Sequence, residues 1–327
     1  MPFHPAHKPL STGAMASTPA RLTIGTRGSD LALAQTNIVA ALLRAAHPDL
    51  AAPDAIAIAV IRTTGDQVQD RPLAEIGGKG LFTKEIEEAL IGRRIDLAVH
   101  SMKDLETHLP DGLAIAAVLE REDPRDVLLA GAATTIAGLP AGAVVGTASL
   151  RRAAQILAAR PDLEVVPFRG NVNTRIAKLE RGEVDATVLA LAGLRRLGMT
   201  GYEDRAIAIT EMLPAVAQGA IGLECRADDA ATRATLAPLD HAPTAQAVTA
   251  ERALLAALDG SCRTPIAALA TVAGETLSLE ALIALPDGSA VHRDRREGRS
   301  DDAEAVGAAA GAALRAAGGP GFFDPAD

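Results

Sequence analysis

The stretch RLTIGTRGSDLALAQTNIVAALLRAA (residues 21–46) predicts a β-strand followed at once by an α-helix. Its first part, RLTIGT (21–26), has the apolar character of a short strand, and Ser29 or Asp30 can cap the helix that follows. A second run, AIAIAVI (55–61), has the continuous apolar character of a strand buried in a parallel sheet. The alternation of strands and helices predicts an α/β fold.

The same alternation continues along the chain. KGLFTKEIEEALIGRR (79–94) predicts an amphipathic helix, and IDLAVH (95–100) predicts a third strand. The charged, proline-containing segment REDPRD (121–126) is a candidate hinge, and a second α/β series follows it. The predicted strands of this series are DVLLA, AVVGT, LEVVPF and ATVLAL, and its predicted helices are SLRRAAQILAA and NVNTRIAKLERG. We therefore expect two α/β domains.

The pattern changes after about residue 240. TAQAVTAERALLAAL (244–258) predicts a helix, and the apolar and polar residues then alternate between the turns AGE and PDGS. Such alternation is typical of antiparallel strands. DDAEAVGAAAGAALRAA (301–317) predicts a last helix. The C-terminal part is therefore expected to be an α+β unit with a three-stranded antiparallel sheet.

The composition argues against several classes of function. Aromatic residues make up 2% of the chain and the net charge is −9, which is unfavourable for binding nucleic acid. No apolar run approaches the roughly 18 residues of a membrane span. The two cysteines lie far apart, and no CxxC or Cys/His cluster is present, so neither a disulfide scaffold nor a metal site is expected. We expect a cytoplasmic protein whose residues 1–20 form a disordered tail.

Polar and mostly cationic residues follow the ends of four predicted strands, in TRGS (26–29), HSMKD (100–104), TASLRR (147–152) and RGNVNTR (169–175). In parallel sheets, ligands bind outside the carboxyl ends of the strands, and helix N-termini attract anions. We expect a cleft between two domains that binds a polyanion, because guanidinium groups suit carboxylates. The basic residues expected to converge there are Arg27, Lys103, Arg151, Arg152, Arg169 and Arg175.

Two alternatives remain open from the residues alone. A single arginine is most often a solvated surface charge, although the recurrence at strand ends makes this less plausible for the set. Asp104 either caps a turn or provides a carboxylate that faces a cation or moves a proton. Arg151 and Arg152 are electrostatically unfavourable near a helix N-terminus. With no compensation evident in the local sequence, they indicate a functional role.

The two cysteines receive different interpretations. Cys225 ends the apolar strand IGLECR and is expected to be structural. Cys262 lies in DGSCRTP (259–265), between a predicted helix and a predicted strand, and a loop thiol more often serves chemistry than packing. The segment GGKG (77–80) lacks the spacing of a nucleotide-binding loop and is a candidate lid or anion-binding loop.

These segments, taken together, resemble the porphobilinogen deaminase family, also called hydroxymethylbilane synthases. The resemblance runs in family order from about residue 21 to the C-terminal part and covers nearly all of the chain except the N-terminal tail. The matching segments are GTRGSDLALAQ, TTGD, GGKGLFTKEIE, DLAVHSMKD, EREDPRD, GTASLRR, FRGNVNTR, LAGLRRLG, AVAQGAIGLECR and TAERALL with GSCRTPI.

The resemblance implies a fold of two periplasmic-binding-protein-like (type II) α/β domains and a small C-terminal α+β domain. Residues 21–119 and 219–239 would form domain 1, residues 120–218 domain 2, and residues 240–327 domain 3. It also implies a transferase of porphyrin and haem biosynthesis. This enzyme joins four porphobilinogen molecules head to tail into hydroxymethylbilane and releases four ammonia molecules. A monomer with porphobilinogen as its small-molecule partner is expected.

The resemblance further implies a dipyrromethane cofactor, held through a thioether to the cysteine that Cys262 matches. Asp104 matches the catalytic aspartate, which would stabilise the azafulvenium cation left by ammonia and assist proton transfer. Further residues expected to bind the cofactor are Lys103, Thr147, Ser149, Arg151, Arg152, Arg169 and Gly170. Residues expected to bind the substrate are Arg27, Ser29, Lys79, Arg175, Arg196 and Gln218.

The chain departs from the family pattern at three positions. Glu75 stands where many members have a lysine, Ala148 stands where many have a serine, and Ser261 stands where a glycine is common before the cysteine. Two other functions compete with the deaminase: a non-enzymatic anion-binding protein, and a hydrolase with a cysteine nucleophile. The hydrolase would need a partnering histidine, and neither His100 nor His241 lies in a recognisable motif with Cys262.

Overall fold

The computed structural model describes residues 21–67, 80–259 and 264–322. In these ranges the strands are β1 (Leu22–Arg27), β2 (Ile56–Ile61), β3 (Leu97–Ser101), β4 (Leu113–Val118), β5 (Asp126–Ala130), β6 (Val144–Gly146), β7 (Glu164–Val166), β8 (Ala186–Ala190), β9 (Ile221–Arg226), β10 (Ile266–Ala273), β11 (Thr276–Ala284) and β12 (Val291–Arg299). The helices are α1 (Asp30–Ala46), α2 (Thr64–Gln67), α3 (Lys84–Ile91), α4 (Leu150–Ala159), α5 (Val172–Glu180), α6 (Leu191–Arg196), α7 (Ala230–Leu236), α8 (Ala242–Ala257) and α9 (Ala303–Gly318).

The first sheet has the strand order β2-β1-β3-β9-β4. β1 runs parallel to β2 and β3, whereas β9 is antiparallel to both β3 and β4. The prediction that residues 55–61 form a fully buried strand is wrong, because β2 lies at the edge of this sheet. Ile58 is 38% exposed and Val60 is 54% exposed.

The second sheet has the order β5-β8-β6-β7, with β6 parallel to β7 and β8 and β5 antiparallel to β8. All four strands occur where the sequence predicts them. Their core includes Leu128, Val145 and Val188, packed against Ile156 of α4 and against Met212. Burial of this apolar surface is the main favourable contribution to the folding of the sheet.

The third sheet is antiparallel, with the order β10-β11-β12. Leu277 and Leu279 of β11 pack with Leu254 of α8 and Leu314 of α9 in one core. The fold-class prediction, two α/β units followed by an α+β unit with three antiparallel strands, is confirmed. None of the helices in the described ranges is both long enough and apolar enough to cross a membrane.

The cap predicted for α1 is confirmed at Ser29, and polar side chains also cap two other predicted helices. The hydroxyl of Ser29 caps α1, the hydroxyl of Ser149 caps α4, and the side chain of Asn171 caps α5. The helix predicted from residue 79 instead begins at Lys84. Gly80 has a φ of 73°, which is incompatible with a right-handed helix, so the helix can begin only after it.

Two connecting segments join the first and second sheets and pack closely on one another. The amide of Glu122 donates to the carbonyl of Gly219 at 3.2 Å. Gly219 has a φ of 91°, and a Cβ there would collide with the carbonyl oxygen of Glu122. The return of β9 to the first sheet supports the proposed assignment of residues 219–239 to domain 1, and the domain boundaries themselves stay a prediction.

Candidate active-site cleft

A cleft of about 760 Å³ lies between the first and second sheets. Among the described residues, seven cationic side chains and the two acids Asp30 and Asp104 line it. Nine of the residues predicted for the site are among the residues that line it: Arg27, Ser29, Lys103, Asp104, Arg152, Arg169, Gly170, Arg175 and Arg196. The structure therefore brings most of the predicted strand-end residues together, as the convergence of parallel strand ends requires.

The first sheet contributes cations from the carboxyl ends of its parallel strands. Arg27 ends β1, and its guanidinium lies 4.1 Å from the centre of the Phe82 ring. Arg62 directly follows β2 and also lines the cleft. Sequence reasoning missed Arg62, although the strand-end rule that identified Arg27 would have found it.

The second sheet contributes the segment that leads into α5. Nε of Arg175 donates to the carbonyl of Gly170 at 2.9 Å. Burial, together with the nearby charges of Arg152 and Arg169, lowers the pKa of Arg175 to about 10. Gly170 has a φ of 126°, and a Cβ there would lie 2.7 Å from a methyl carbon of Thr174. The close turn therefore requires glycine at this position.

Arg196, at the end of α6, reaches the connection between the sheets. Its Nη2 donates to the carbonyl of Gly219 at 2.6 Å, and burial lowers the pKa of Arg196 to about 10, although Glu122 opposes this effect. An anion bound beside Arg196 would offset the cost of burying the guanidinium.

Lys103 and Asp104 follow β3 in a short turn, Met102–Asp104. Nζ of Lys103 donates to Oε1 of Gln218 at 3.3 Å. Burial lowers the pKa of Lys103 to about 8, and the neighbouring Asp104 carboxylate partly opposes this shift. Lys103 therefore loses its charge closer to neutral pH than an ordinary lysine does.

The carboxylate of Asp104 is exposed to the cleft. Among the residues that the structure describes, no side-chain or backbone donor hydrogen-bonds to it. The alternative in which Asp104 caps a turn is therefore wrong for this part of the chain. An exposed carboxylate among cations can stabilise a positive charge on a ligand or accept a proton from it.

Arg151 and Arg152, at the start of α4, are both buried. Both guanidiniums contact Asp126, with 2.8 Å from each Nη2 to the nearer carboxylate oxygen. Burial alone would raise the pKa of Asp126, but the two guanidiniums hold it well below its ordinary value. The sequence next to Arg151 and Arg152 offers no compensating acid, as expected, but Asp126, distant in sequence, compensates them in space, so the functional role inferred from an uncompensated charge is not supported by this argument. Arg152 lines the cleft, whereas Arg151 does not.

Three further predicted residues lie behind the cleft rather than on its surface. The hydroxyl of Ser149 accepts from the amide of Arg152 at 3.4 Å, and that of Thr147 accepts from the amide of Ser149 at 3.2 Å. Gln218 donates to Asp126 at 2.9 Å while it accepts from Lys103. These side chains therefore hold residues that line the cleft. Lys79 and Cys262 lie outside the described residues, so their predicted roles rest on the sequence.

Cys225 and His100 are both buried. Cys225 is fully buried in β9 and its pKa is raised by burial, in agreement with the structural interpretation. His100 lies 2.9 Å from the carboxylate of Glu224, through its Nε2. Among the described residues, no histidine lines the cleft, which weakens the cysteine-hydrolase alternative.

Two family models match the chain. The model described as porphobilinogen deaminase, dipyromethane cofactor binding domain, matches residues 22–234, and the model described as porphobilinogen deaminase, C-terminal domain, matches residues 245–316. The chain belongs to the porphobilinogen deaminase family. The resemblance drawn from the sequence segments is thereby confirmed, and so is the expectation of a dipyrromethane cofactor, which the first model's description names.

Similar proteins carry the family name. The chain is 55% identical to porphobilinogen deaminase of Paracoccus denitrificans over 303 residues, which cover 93% of this chain and 96% of that protein. It is 53% identical to the chloroplastic porphobilinogen deaminase of Oryza sativa subsp. japonica over 306 residues, which cover 93% of this chain and 86% of that protein. The similarity therefore spans all three sheets.

Solved structures whose backbones align with part of this chain include periplasmic binding proteins. A methionine-binding lipoprotein of Bacillus subtilis matches 67% of this chain and 89% of its own, with 13% identity and a TM-score of 0.41. The aliphatic sulphonate binding protein of Escherichia coli matches 73% of this chain and 70% of its own, with 17% identity and a TM-score of 0.40. Nothing about the ligand of this chain follows from these similarities.

Proposed function

We propose that this chain condenses four porphobilinogen molecules head to tail into hydroxymethylbilane, with release of four ammonia molecules, on a dipyrromethane attached to Cys262. The observation that carries the proposal is the charge of the cleft: in the described part of the chain, seven cationic side chains line the same cleft as the exposed carboxylate of Asp104. A substrate with carboxylates at its edge and a positive charge at its reacting centre suits this arrangement.

The cleft fits a dipyrromethane. Each pyrrole ring of that group carries an acetate and a propionate, so the group is a compact polycarboxylate. Burial lowers the pKa of Arg175 and Arg196, which indicates guanidiniums short of neighbouring anions in the described chain. Ligand carboxylates would supply the missing negative charge.

The family resemblance suggests how the residues divide between the two ligands. Those proposed to hold the dipyrromethane through its carboxylates are Lys103, Arg152, Arg169 and the backbone at Gly170. Those proposed to bind the incoming porphobilinogen are Arg27, Ser29, Arg175 and Arg196, to which we add Arg62. Arg151, Thr147, Ser149 and Gln218 would act from behind, through the contacts that hold Arg152 and Lys103 in place.

The bound dipyrromethane supplies a pyrrole carbon that can attack an electrophile. The chemistry left to the chain is to stabilise the cation that remains when porphobilinogen loses ammonia, and to move a proton. Asp104 is placed for both tasks. At about 4 Å and an effective dielectric constant of about 20, one opposite charge is worth about 4 kcal/mol. That energy corresponds to roughly three decades of rate.

The arginines have a different task. They cannot stabilise a cation directly, but their planar groups neutralise carboxylates and orient both pyrroles. Orientation of two reacting groups lowers the barrier by reducing the entropy lost on reaction. We therefore assign ligand binding to the cationic side chains of the cleft and the chemical steps to Asp104.

The test is to incubate the purified chain with porphobilinogen and measure both ammonia release and tetrapyrrole formation. We expect both, and we expect the intact protein to be heavier than its sequence by one dipyrromethane. A chain that binds porphobilinogen but releases no ammonia, and carries no adduct, would be an anion-binding protein and would overturn the proposal.

A further inference from the structure

Arg252, on α8, binds three consecutive main-chain carbonyls directly after Asp104. Its Nη1 donates to the carbonyl of Leu105 at 3.3 Å, and its Nη2 donates to those of Glu106 at 2.7 Å and Thr107 at 2.9 Å. Arg252 lies about 150 residues after this segment in sequence, and α8 packs with the third sheet. One guanidinium therefore joins the C-terminal unit to the turn that carries Asp104.

The position of Asp104 depends on its backbone. In the described chain its carboxylate accepts no hydrogen bond, so no side-chain contact fixes it. Before it, the amide of Met102 donates to the carbonyl of Ala220 at 3.0 Å. After it, the amide of Leu105 donates back to Met102 at 3.3 Å, and Arg252 binds the next carbonyls. The turn is thus held on one side by the first sheet and on the other by Arg252.

The segment of residues 105–107 makes a second contact that depends on the path of its backbone. The carboxylate of Glu106 accepts from the amide of Gly80 at 2.9 Å. A shift of the segment would therefore move Asp104 and also disturb the start of the chain that leads into α3. Because α8 directly precedes the segment with Cys262 in sequence, one helix leads into the proposed anchor and also holds the catalytic turn.

We propose that Arg252 is a positioning residue that sets the place of the Asp104 carboxylate in the cleft. The inference rests on the proposed catalytic role of Asp104. Loss of the guanidinium would let the turn relax, and a displacement of about 1 Å from the reacting geometry can lower a rate roughly a hundredfold.

Replacement of Arg252 need not leave the three carbonyls that it binds without a hydrogen-bond donor. It lines a second cavity of about 440 Å³, together with His108, Ile115 and Thr249. Polar side chains, including those of His108 and Asp240, also line this cavity, so water in it can hydrogen-bond to the carbonyls that Arg252 now binds. We therefore expect Arg252→Met to fold, with a lower melting temperature.

The test combines Arg252→Met with a matched control and a double-mutant cycle. Arg160→Met is the control, because Nη1 of Arg160 likewise donates to three carbonyls of one loop, those of Ile136, Ala137 and Leu139. We expect Arg252→Met to lower kcat roughly ten- to a hundredfold per cofactor-loaded molecule, with KM within about twofold of the parent. Arg160→Met should lose melting temperature but keep kcat.

The double mutant shows whether Arg252 acts through Asp104. In an Asp104→Glu background, where the carboxylate is already displaced, Arg252→Met should add at most a roughly threefold loss. Arg252→Lys should restore part of kcat. Equal losses of kcat in both backgrounds, or a kcat unchanged like that of Arg160→Met, would overturn the inference while leaving the deaminase proposal intact. An inactive parent would instead contradict the proposed function itself.

Discussion

Arg152 and Asp126 form a buried ion pair, with 2.8 Å between Nη2 and Oδ1 and side-chain exposures of 6% and 0%. The pair joins α4 to the first residue of β5. Arg151 shares the same carboxylate, and Gln218 donates to it at 2.9 Å. One buried carboxylate thus pairs with two adjacent guanidiniums at the rear of the cleft and leaves a net positive charge there. It also links them, through Gln218, to Lys103 on the opposite side.

Asp126→Asn should destabilise the protein by about 3–5 kcal/mol, because two buried guanidiniums would lose their counter-ion. Urea denaturation at neutral pH measures this cost. Asp162→Asn is the control, since Asp162 pairs with Arg160 at the surface, where solvent screens the charges and the pair contributes little to stability. Equal stability of the two variants would show that the buried pair is not needed for folding.

The ion pair of Asp126 also predicts that the stability of the protein depends on pH in the acidic range. The pKa of Asp126 is lowered in the folded state, so its contribution to stability is complete above the ordinary value of 3.8 and is lost as the pH falls below it. The difference in stability between the parent and Asp126→Asn should therefore shrink as the pH is lowered through this range.

Asp104→Asn should lower the turnover roughly a hundred- to a thousandfold, because it removes the negative charge but keeps the size of the side chain. Asp104→Glu should retain part of the activity, since it keeps the charge and moves it by one methylene group. Ammonia release per cofactor-loaded molecule measures both. An Asn variant with nearly parental turnover would end the catalytic assignment.

Arg62→Met should raise KM for porphobilinogen roughly tenfold or more and leave kcat nearly unchanged. A hydrogen bond between charged groups contributes about 1.5–3 kcal/mol, and a carboxylate bound equally in substrate and transition state affects KM alone. Arg44→Met is a matched control, since Arg44 lies in the last turn of α1 and does not line the cleft. The same KM in both variants would remove Arg62 from the site.

The lowered pKa of Lys103 predicts that a rise in pH weakens ligand binding but increases the stability of the fold. Because its pKa is lowered from 10.5 to about 8, the charge that would bind a dipyrromethane carboxylate is lost as the pH rises through about 8, so loading of the cofactor-free protein with dipyrromethane should decrease. Over the same range the unfolded chain holds the proton more tightly than the folded chain, so this group makes stability rise with pH. Lys103→Arg should abolish both trends, and a pH profile of dipyrromethane loading identical to the parent's would refute the assignment.

Cys262→Ser should lack the dipyrromethane adduct, should be largely inactive, and should melt at a lower temperature than the parent. The last effect follows because a ligand bound only by the native state stabilises that state. Intact mass and peptide mapping measure the adduct. Cys225→Ala is the control: this buried residue should affect stability but leave the adduct in place. Active parent enzyme with unmodified Cys262 would contradict the anchor assignment.

The local features of this protein were predictable from its sequence. Strand and helix periods, the cap at Ser29 and the burial of Cys225 depend on neighbouring residues, so short segments contain the information. The cations at strand ends were predictable for a similar reason. Parallel strands place their carboxyl ends at one edge whatever the details of packing, and this rule reaches Arg27 and Arg175 equally.

Only the tertiary structure decided the contacts between distant segments. Nothing near Arg152 in sequence reveals that Asp126 neutralises it, and nothing near Asp104 reveals the carbonyl contacts of Arg252. The edge position of β2, which leaves Val60 exposed, likewise depends on the order of strands in the sheet. Such contacts arise because folding brings together side chains from different sheets, and their charge and burial are properties of that packing rather than of any short segment.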